Sequence, residues 1–333
     1  MSEPQYSMTD SDCAVTDARG ALVDSRYQYL TYEELDDGVI VRIMLNRPGT
    51  RNAQNRGLLV ELGDAFLRAE ADDTVRVVIL GGHGSMFSTG HDMGSRQGRE
   101  DMLPGPNQHP SAKVNGGTRH GAEKLMLQEW HHFFESTRRW RNLRKITIAA
   151  VHGEVYAAGL MLMWACDLIV AAEGTTFADM VGTRLGMCGM EYFAHPWEFG
   201  PRRAKELLLT GDSIDAEEAW RLGMVSKIFP GVELHDSALR FARRIASIPT
   251  MAALLIKESV NQSVDNMGFY NALNACFTLH ELNHSHWAWV HEGGMPVGQP
   301  GDQGVADWRT SPPVPPSRRD LVQVPAPNAH PVG

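Results

Sequence analysis

Near the end of the chain, His280-Glu281-Leu282-Asn283-His284 sets two imidazoles four residues apart with a glutamate beside the first. On a helix that spacing places both rings on one face, where they could hold a zinc ion while the glutamate acts as base in a hydrolysis. The same stretch also carries His286 and His291, and no glycine-histidine extension follows. A histidine-rich surface or interface segment is the preferred reading. No metal ligands are therefore expected, and a zinc hydrolase built on His280, Glu281 and His284 is kept as a minor alternative. Glu191 is a second candidate, since it follows Gly186-Met-Cys-Gly189 and precedes the aromatic pair Tyr192 and Phe193. An apolar setting would desolvate its carboxylate and raise its pKa toward neutrality, which suits a group that takes and returns a proton. The plainer alternative is a solvated glutamate at a helix N-terminus.

The elements that must position such groups can be read from periodicity. Gly38-Val-Ile-Val-Arg-Ile-Met-Leu45, Val75 to Leu80 and Ile146 to Val151 are short β-branched runs that predict strands, whereas Leu58, Leu62, Ala65, Phe66 and Ala69 recur at helical spacing. Strand runs separated by helical stretches imply an α/β core with crossover connections. From Pro201 onward the pattern is almost wholly helical; Asp215-Ala-Glu-Glu218 has the form of a capping box, and Gly223 ends the short helix it opens. The segment from Met93 to Gly121 is too long and Gly/Pro-rich for a simple connection, and predicts a mobile loop with a role over a site. The expected organisation is a disordered tail over 1–26, a core over 27–200, a helical region over 201–291 and a Pro-rich tail over 292–333.

With 333 residues, 43% of them hydrophobic, the chain can bury a sizeable core, which excludes disorder throughout. The net charge of -9 argues against a broad nucleic-acid or anionic-membrane footprint. The four cysteines Cys13, Cys166, Cys188 and Cys276 form no Cys-x-x-Cys pair, as reduced thiols would be. The strongest apolar stretch, Val155 to Ala165, is too short to cross a bilayer, and Met1 to Asp24 lacks the basic and apolar pattern of an export signal. A cytoplasmic protein is expected.

Three ordered segments carry a family resemblance: Leu45-Asn-Arg-Pro-Gly-Thr-Arg-Asn-Ala53, Met86-Phe-Ser-Thr-Gly-His-Asp92, and Val151-His-Gly-Glu-Val-Tyr-Ala-Ala-Gly159 with Cys166-Asp167. Their order and spacing resemble the crotonase, or enoyl-CoA hydratase/isomerase, superfamily. Leu209-Thr-Gly-Asp-Ser-Ile-Asp-Ala-Glu-Glu-Ala219 and Gly223-Met-Val-Ser-Lys-Ile-Phe-Pro230 are similar to the segment that follows its active site. The resemblance covers roughly Tyr27 to Asn261. It implies a spiral of β-β-α repeats, a C-terminal helical region used for assembly into a trimer or a dimer of trimers, and an acyl-CoA or enoyl-CoA substrate. Coenzyme A enters as part of that substrate and no other cofactor is expected.

Chemistry next to a thioester carbonyl drives negative charge onto its oxygen, so fixed N–H donors must be aimed there. The resemblance assigns those donors to the backbone N–H groups of His91 and Ala158, within runs whose small residues would otherwise serve only close packing or a turn. It places the coenzyme near Arg51, Asn52, Ala53, Ser88, Gly90, Asp92 and Arg96; Arg51 and Arg96 are candidate phosphate contacts, with solvated arginines as the alternative. Asp92 and Asp167 are expected to cap backbone N–H groups. The pattern departs where hydratases carry two glutamates, because Met161 and Val181 stand there and neither can transfer a proton. Glu191, Asp179, Glu154 and the His91 side chain are the candidate replacements, with Glu191 preferred. Isomerisation, hydrolysis and a non-catalytic acyl-CoA-binding scaffold all stay open.

Overall fold

The computed structural model describes residues 14–16, 22–24, 26–102 and 116–291. In chain order its strands are β1 (Ala14–Thr16), β2 (Leu22–Asp24), β3 (Leu30–Leu35), β4 (Ile40–Leu45), β5 (Val77–Gly82) and β6 (Ile146–Val151). They continue with β7 (Glu154–Tyr156), β8 (Leu168–Ala172), β9 (Thr176–Ala178), β10 (Ile214–Asp215) and β11 (Lys227–Phe229). The helices are α1 (Arg56–Ala71), α2 (Arg96–Met102), α3 (Gly121–Glu129), α4 (Ser136–Arg141), α5 (Ala158–Trp164) and α6 (Val181–Leu185). They end with α7 (His195–Phe199), α8 (Pro201–Thr210), α9 (Ala216–Leu222), α10 (Leu234–Ala246), α11 (Thr250–Asn266) and α12 (Phe269–Val290).

Eight strands form one sheet in the order β1-β2-β3-β4-β5-β6-β8-β11, antiparallel up to β4 and parallel beyond it. A second sheet has the order β10-β9-β7. Successive units β6-β7-α5 and β8-β9-α6 place their first strand in the large sheet and their second in the small one, the β-β-α repeat that the family resemblance implied. Alternation splits the parallel strands between two cores. Val41, Ile43, Leu45, Val78, Leu80, Ala149 and Val151 join the larger core, while Ile40, Val77, Ile79, Ile148 and Ala150 pack under Leu234, Ala238 and Ala242 of α10.

Several elements follow from local rules. The side chain of Asn55 accepts a hydrogen bond from the Leu58 amide and caps α1, whose buried face includes Leu58, Leu62, Ala65, Phe66 and Ala69. Asp215 caps α9 through the Glu218 amide, and Gly223 ends it in the left-handed region. The capping box is only half made, because the Glu218 carboxylate pairs with Arg203 and Arg221 instead of reaching back.

Other expectations are corrected. Within the supposed tail over 1–26, β1 and β2 pair with each other and extend the sheet through β3. Within the supposed loop from Met93 to Gly121, residues 96–102 form α2, and 103–115 lie outside the described residues, as does the expected tail over 292–333. Beyond the expected boundary at 200 the helical region packs back on the core, since β11 pairs with β8 and α10 covers the large sheet. No helix among the described residues is long and apolar enough to cross a membrane.

Candidate active site

Between the two sheets and the last helix lies a cavity of about 780 Å³, bordered by the loop after β4, the start of α5, the end of α3 and α12. Its floor is built by close backbone approach. Gln54 and His91 pair as an isolated bridge, and so do Ser88 and Val155, which draws the 86–92 segment against β7. A Cβ on Gly90 would stand 2.9 Å from the Ala158 nitrogen and 3.1 Å from the Tyr156 carbonyl oxygen, so only glycine lets the strands meet. Gly159 packs as tightly, with a Cβ there falling 2.3 Å from the Ser88 carbonyl oxygen.

Ala157 turns the chain from β7 into α5 at φ 46°, a conformation costly for a residue with a side chain. Ala158 is then the first residue of α5, so its N–H has no partner within the helix. Among the described residues neither the Ala158 nor the His91 amide donates to another protein group. Both residues line the cavity.

The His91 imidazole stacks on Phe133 at 3.6 Å between ring centres and reaches Glu191, with Nε2 3.0 Å from Oε2. Glu191 is 4% exposed and faces the cavity, so the solvated-terminus alternative does not hold. The sequence-based expectation of a raised pKa does not hold either. Burial works in that direction, but the charge and hydrogen bond of His91 and the charge of His280 prevail, and the carboxyl titrates below its ordinary range.

Behind Glu191 the α12 histidines complete the wall. Phe269, Leu273, Phe277, His280 and His284 form one buried stripe along that helix, so the pair is interior rather than a surface segment. They meet Glu129, which sequence reasoning missed. Its Oε2 is 3.3 Å from His280 Nε2 and 3.2 Å from His284 Nε2. Burial acts to raise the Glu129 pKa, but the two imidazoles outweigh it and hold the carboxyl well below the usual range. The overlooked signal was a carboxylate on the stripe Leu125, Glu129, Phe133, all three of which line the cavity. Right after Glu129 the helix widens into a π turn over Trp130–Glu135, which joins α3 to α4. Glu281 does not line the cavity, so the arrangement with Glu281 as hydrolytic base is not formed.

The remaining candidates divide. Arg51 is exposed beside Ala53 at the cavity edge. Asn52 is fully buried and donates to the His83 and Met86 carbonyls, while Ser88 donates to the Asn52 carbonyl. Asp92 accepts from the Ser95 amide and pairs with Arg47, and Asp167 accepts from the Thr147 amide and pairs with Lys257. All four serve the scaffold. Arg96 points to solvent, pairs with Glu100 and is not brought to the cavity. Asp179 is engaged by His195 and Glu154 borders the cavity. Met161 is buried in the larger core and Val181 lines the wall.

Residues 35–287 match the family model of enoyl-CoA hydratase/isomerase. A Mycobacterium tuberculosis protein named "Putative enoyl-CoA hydratase EchA13" is 62% identical over 87% of this chain and 91% of its own. The 4-chlorobenzoyl coenzyme A dehalogenase-2 of an Arthrobacter species is 30% identical over 75% of this chain and 82% of its own. A crystal structure of a probable enoyl-CoA hydratase from Mycobacterium smegmatis superposes with a TM-score of 0.70 at 39% identity, covering 81% of this chain and 99% of that one.

Proposed function

The chain belongs to the enoyl-CoA hydratase/isomerase family, and on that premise we propose that it is an enzyme moving a proton at the carbon next to the carbonyl of a coenzyme A thioester. The His91 and Ala158 amides receive the enolate oxygen, and Glu191 carries the proton. One observation bears most of this reading: a buried carboxylate on the cavity wall is held by the imidazole of the very residue whose amide is one donor. The His91 ring fixes the Glu191 carboxylate, and its stacking on Phe133 fixes the ring. Met161 sits in the apolar core and Val181 offers no proton, so the acid/base work falls to Glu191. Arg51, exposed at the mouth, meets the coenzyme's phosphates.

The test is mass spectrometry of a pool of acyl-CoA and enoyl-CoA thioesters incubated with the enzyme in deuterated, heavy-oxygen water. Deuterium at the α-carbon that disappears in Glu191→Gln supports the reading. Heavy oxygen at the β-carbon identifies hydration, and in a released acid it identifies hydrolysis. No isotope entry into any thioester or released acid, with binding retained, makes the protein an acyl-CoA-binding scaffold instead.

Self-association is proposed with it. Met251, Leu255, Ile256 and Val260 of α11 and Leu279 and Leu282 of α12 are exposed apolar residues on the helical region that the family resemblance assigns to a trimer or a dimer of trimers. Sedimentation showing only monomer at micromolar concentration refutes this.

A further inference from the structure

The contact between Glu129, His280 and His284 is poorly explained by hydrogen bonding alone. His280 Nδ1 is 2.8 Å from the Gly189 carbonyl oxygen, which can only accept, so that nitrogen carries a proton. Although burial opposes it, the ring beside the two carboxylates is favoured in its charged form, so Nε2 presents a lone pair toward the cluster only once it gives up its proton, as binding a metal ion requires. There it lies 3.0 Å from His284 Nε2, and Glu129 Oε2 lies 3.3 and 3.2 Å from the two nitrogens. Although so close to both rings, Glu129 Oε2 is aligned with neither as a hydrogen-bond acceptor. All three residues are at least nine-tenths buried. The three ligand atoms all lie within 4.8 Å of one another.

That triangle has the dimensions of a metal site. Ligand atoms about 2.0–2.1 Å from one ion are separated by about 3.3 Å at tetrahedral angles and by about 3 Å at right angles. The edges of 3.0, 3.2 and 3.3 Å span this range. The bond from His280 Nδ1 to a carbonyl is also the outer contact that orients a ligating imidazole. The three residues line the cavity, and Glu191 Oε1 stands 3.8 Å from His280 Nε2, where it could accept from a water on the ion.

We propose that Glu129, His280 and His284 bind one divalent transition-metal ion, with Zn²⁺ as the ion suited to two imidazoles and a carboxylate, and that its remaining positions open on the cavity. The site is independent of the proton-transfer assignment, because it requires neither a thioester nor the His91 and Ala158 amides.

The experiment uses the full chain without a histidine tag, stripped with chelator and titrated with Zn²⁺ against a competing indicator, and in parallel with Co²⁺ followed by visible absorption. One ion per chain is expected, with submicromolar Zn²⁺ affinity, Co²⁺ bands of a nitrogen and oxygen ligand field, and a melting temperature raised by Zn²⁺. Affinity should fall at least 100-fold in His284→Ala and in Glu129→Gln. Glu281→Gln, between the histidines in sequence but outside the triangle, should keep it. Absence of stoichiometric binding below about 100 µM in the wild type overturns the proposal. So does equal binding by wild type and His284→Ala, which would assign the ion to surface histidines such as His286 and His291. Should either variant fail to fold, competition between Zn²⁺ and histidine modification by diethylpyrocarbonate decides on the wild type. Protection of His280 and His284 mapped by mass spectrometry supports the site, and unchanged labelling of both refutes it.

Discussion

Replacing Glu191 by glutamine keeps the volume of a side chain that is 4% exposed and removes only its capacity to exchange a proton. The amide can still meet His91 Nε2 across the present 3.0 Å, so the loss to the fold is that of a charge-assisted bond becoming a neutral one, about 1 kcal/mol. In a chain of this size that lowers the melting temperature by only a few degrees. The effect on chemistry is much larger. Removing a general acid/base group typically costs about 100- to 10,000-fold, or about 3–5 kcal/mol of barrier. The assay is the rate of deuterium entry at the α-carbon of acyl-CoA thioesters in deuterated water, followed by mass spectrometry, with binding of the same thioesters measured separately. We expect a loss of at least 100-fold with binding within a few-fold of wild type. A fall of less than tenfold would mean that another group carries the proton, and a collapse of binding would make Glu191 a substrate-positioning residue.

Ala158→Val should lower the same rate at least 100-fold, because the added methyls crowd the thioester oxygen; Ala158 is fully buried, so we also expect a stability loss of about 1–3 kcal/mol, read by denaturant titration. A retained rate would show that the donor lies elsewhere. Asp167→Ala should destabilise by about 1–3 kcal/mol, since it leaves the part-buried Lys257 ammonium only the Lys145 carbonyl and frees the Thr147 amide, while the rate of the folded fraction stays unchanged; a rate loss without a stability loss would contradict its scaffold role. Burial pushes the Glu198 carboxyl up to about 7. A raised carboxyl contributes nothing adverse below its unfolded value near 4.5 and loses stability as pH rises through about 7, so Glu198→Gln should match wild type at pH 4.5 and exceed it at pH 8.5, by at most about 3 kcal/mol. Melting curves at the two pH values check this, and a difference independent of pH would refute burial as the cause.

Much of the scaffold was legible in the sequence because it rests on local rules. β6 spans Ile146–Val151, the very run whose β-branched residues predicted it, and the buried face of α1 includes all five residues taken from helical spacing. Caps and tight turns are local too, which is why Asp215 and Gly223 bound α9 as read. The supposed N-terminal tail was misread because three-residue strands such as β1 and β2 are too short to show a period, and they are held by pairing with β3.

The amides of His91 and Ala158 could be nominated because the family resemblance assigns the donors to two contiguous motifs, Met86 to Asp92 and Val151 to Gly159. The His91 to Glu191 contact, 100 residues apart, could not, nor could the direction of the Glu191 pKa, which follows the imidazoles it meets rather than its aromatic neighbours in sequence. Glu129, His280 and His284 show the same division. The histidines read as a surface or interface segment and Glu129 passed unnoticed, because only the packing of α12 against the end of α3 decides that these faces meet, and at 3.0–3.3 Å. Sequence determined which residues of α1 and of the parallel strands turn inward, since there the helical and strand repeats are unbroken. The tertiary structure alone decided which inward residues share one cavity, because the crossing of distant helices is set by the summed packing of the whole core and by no local preference.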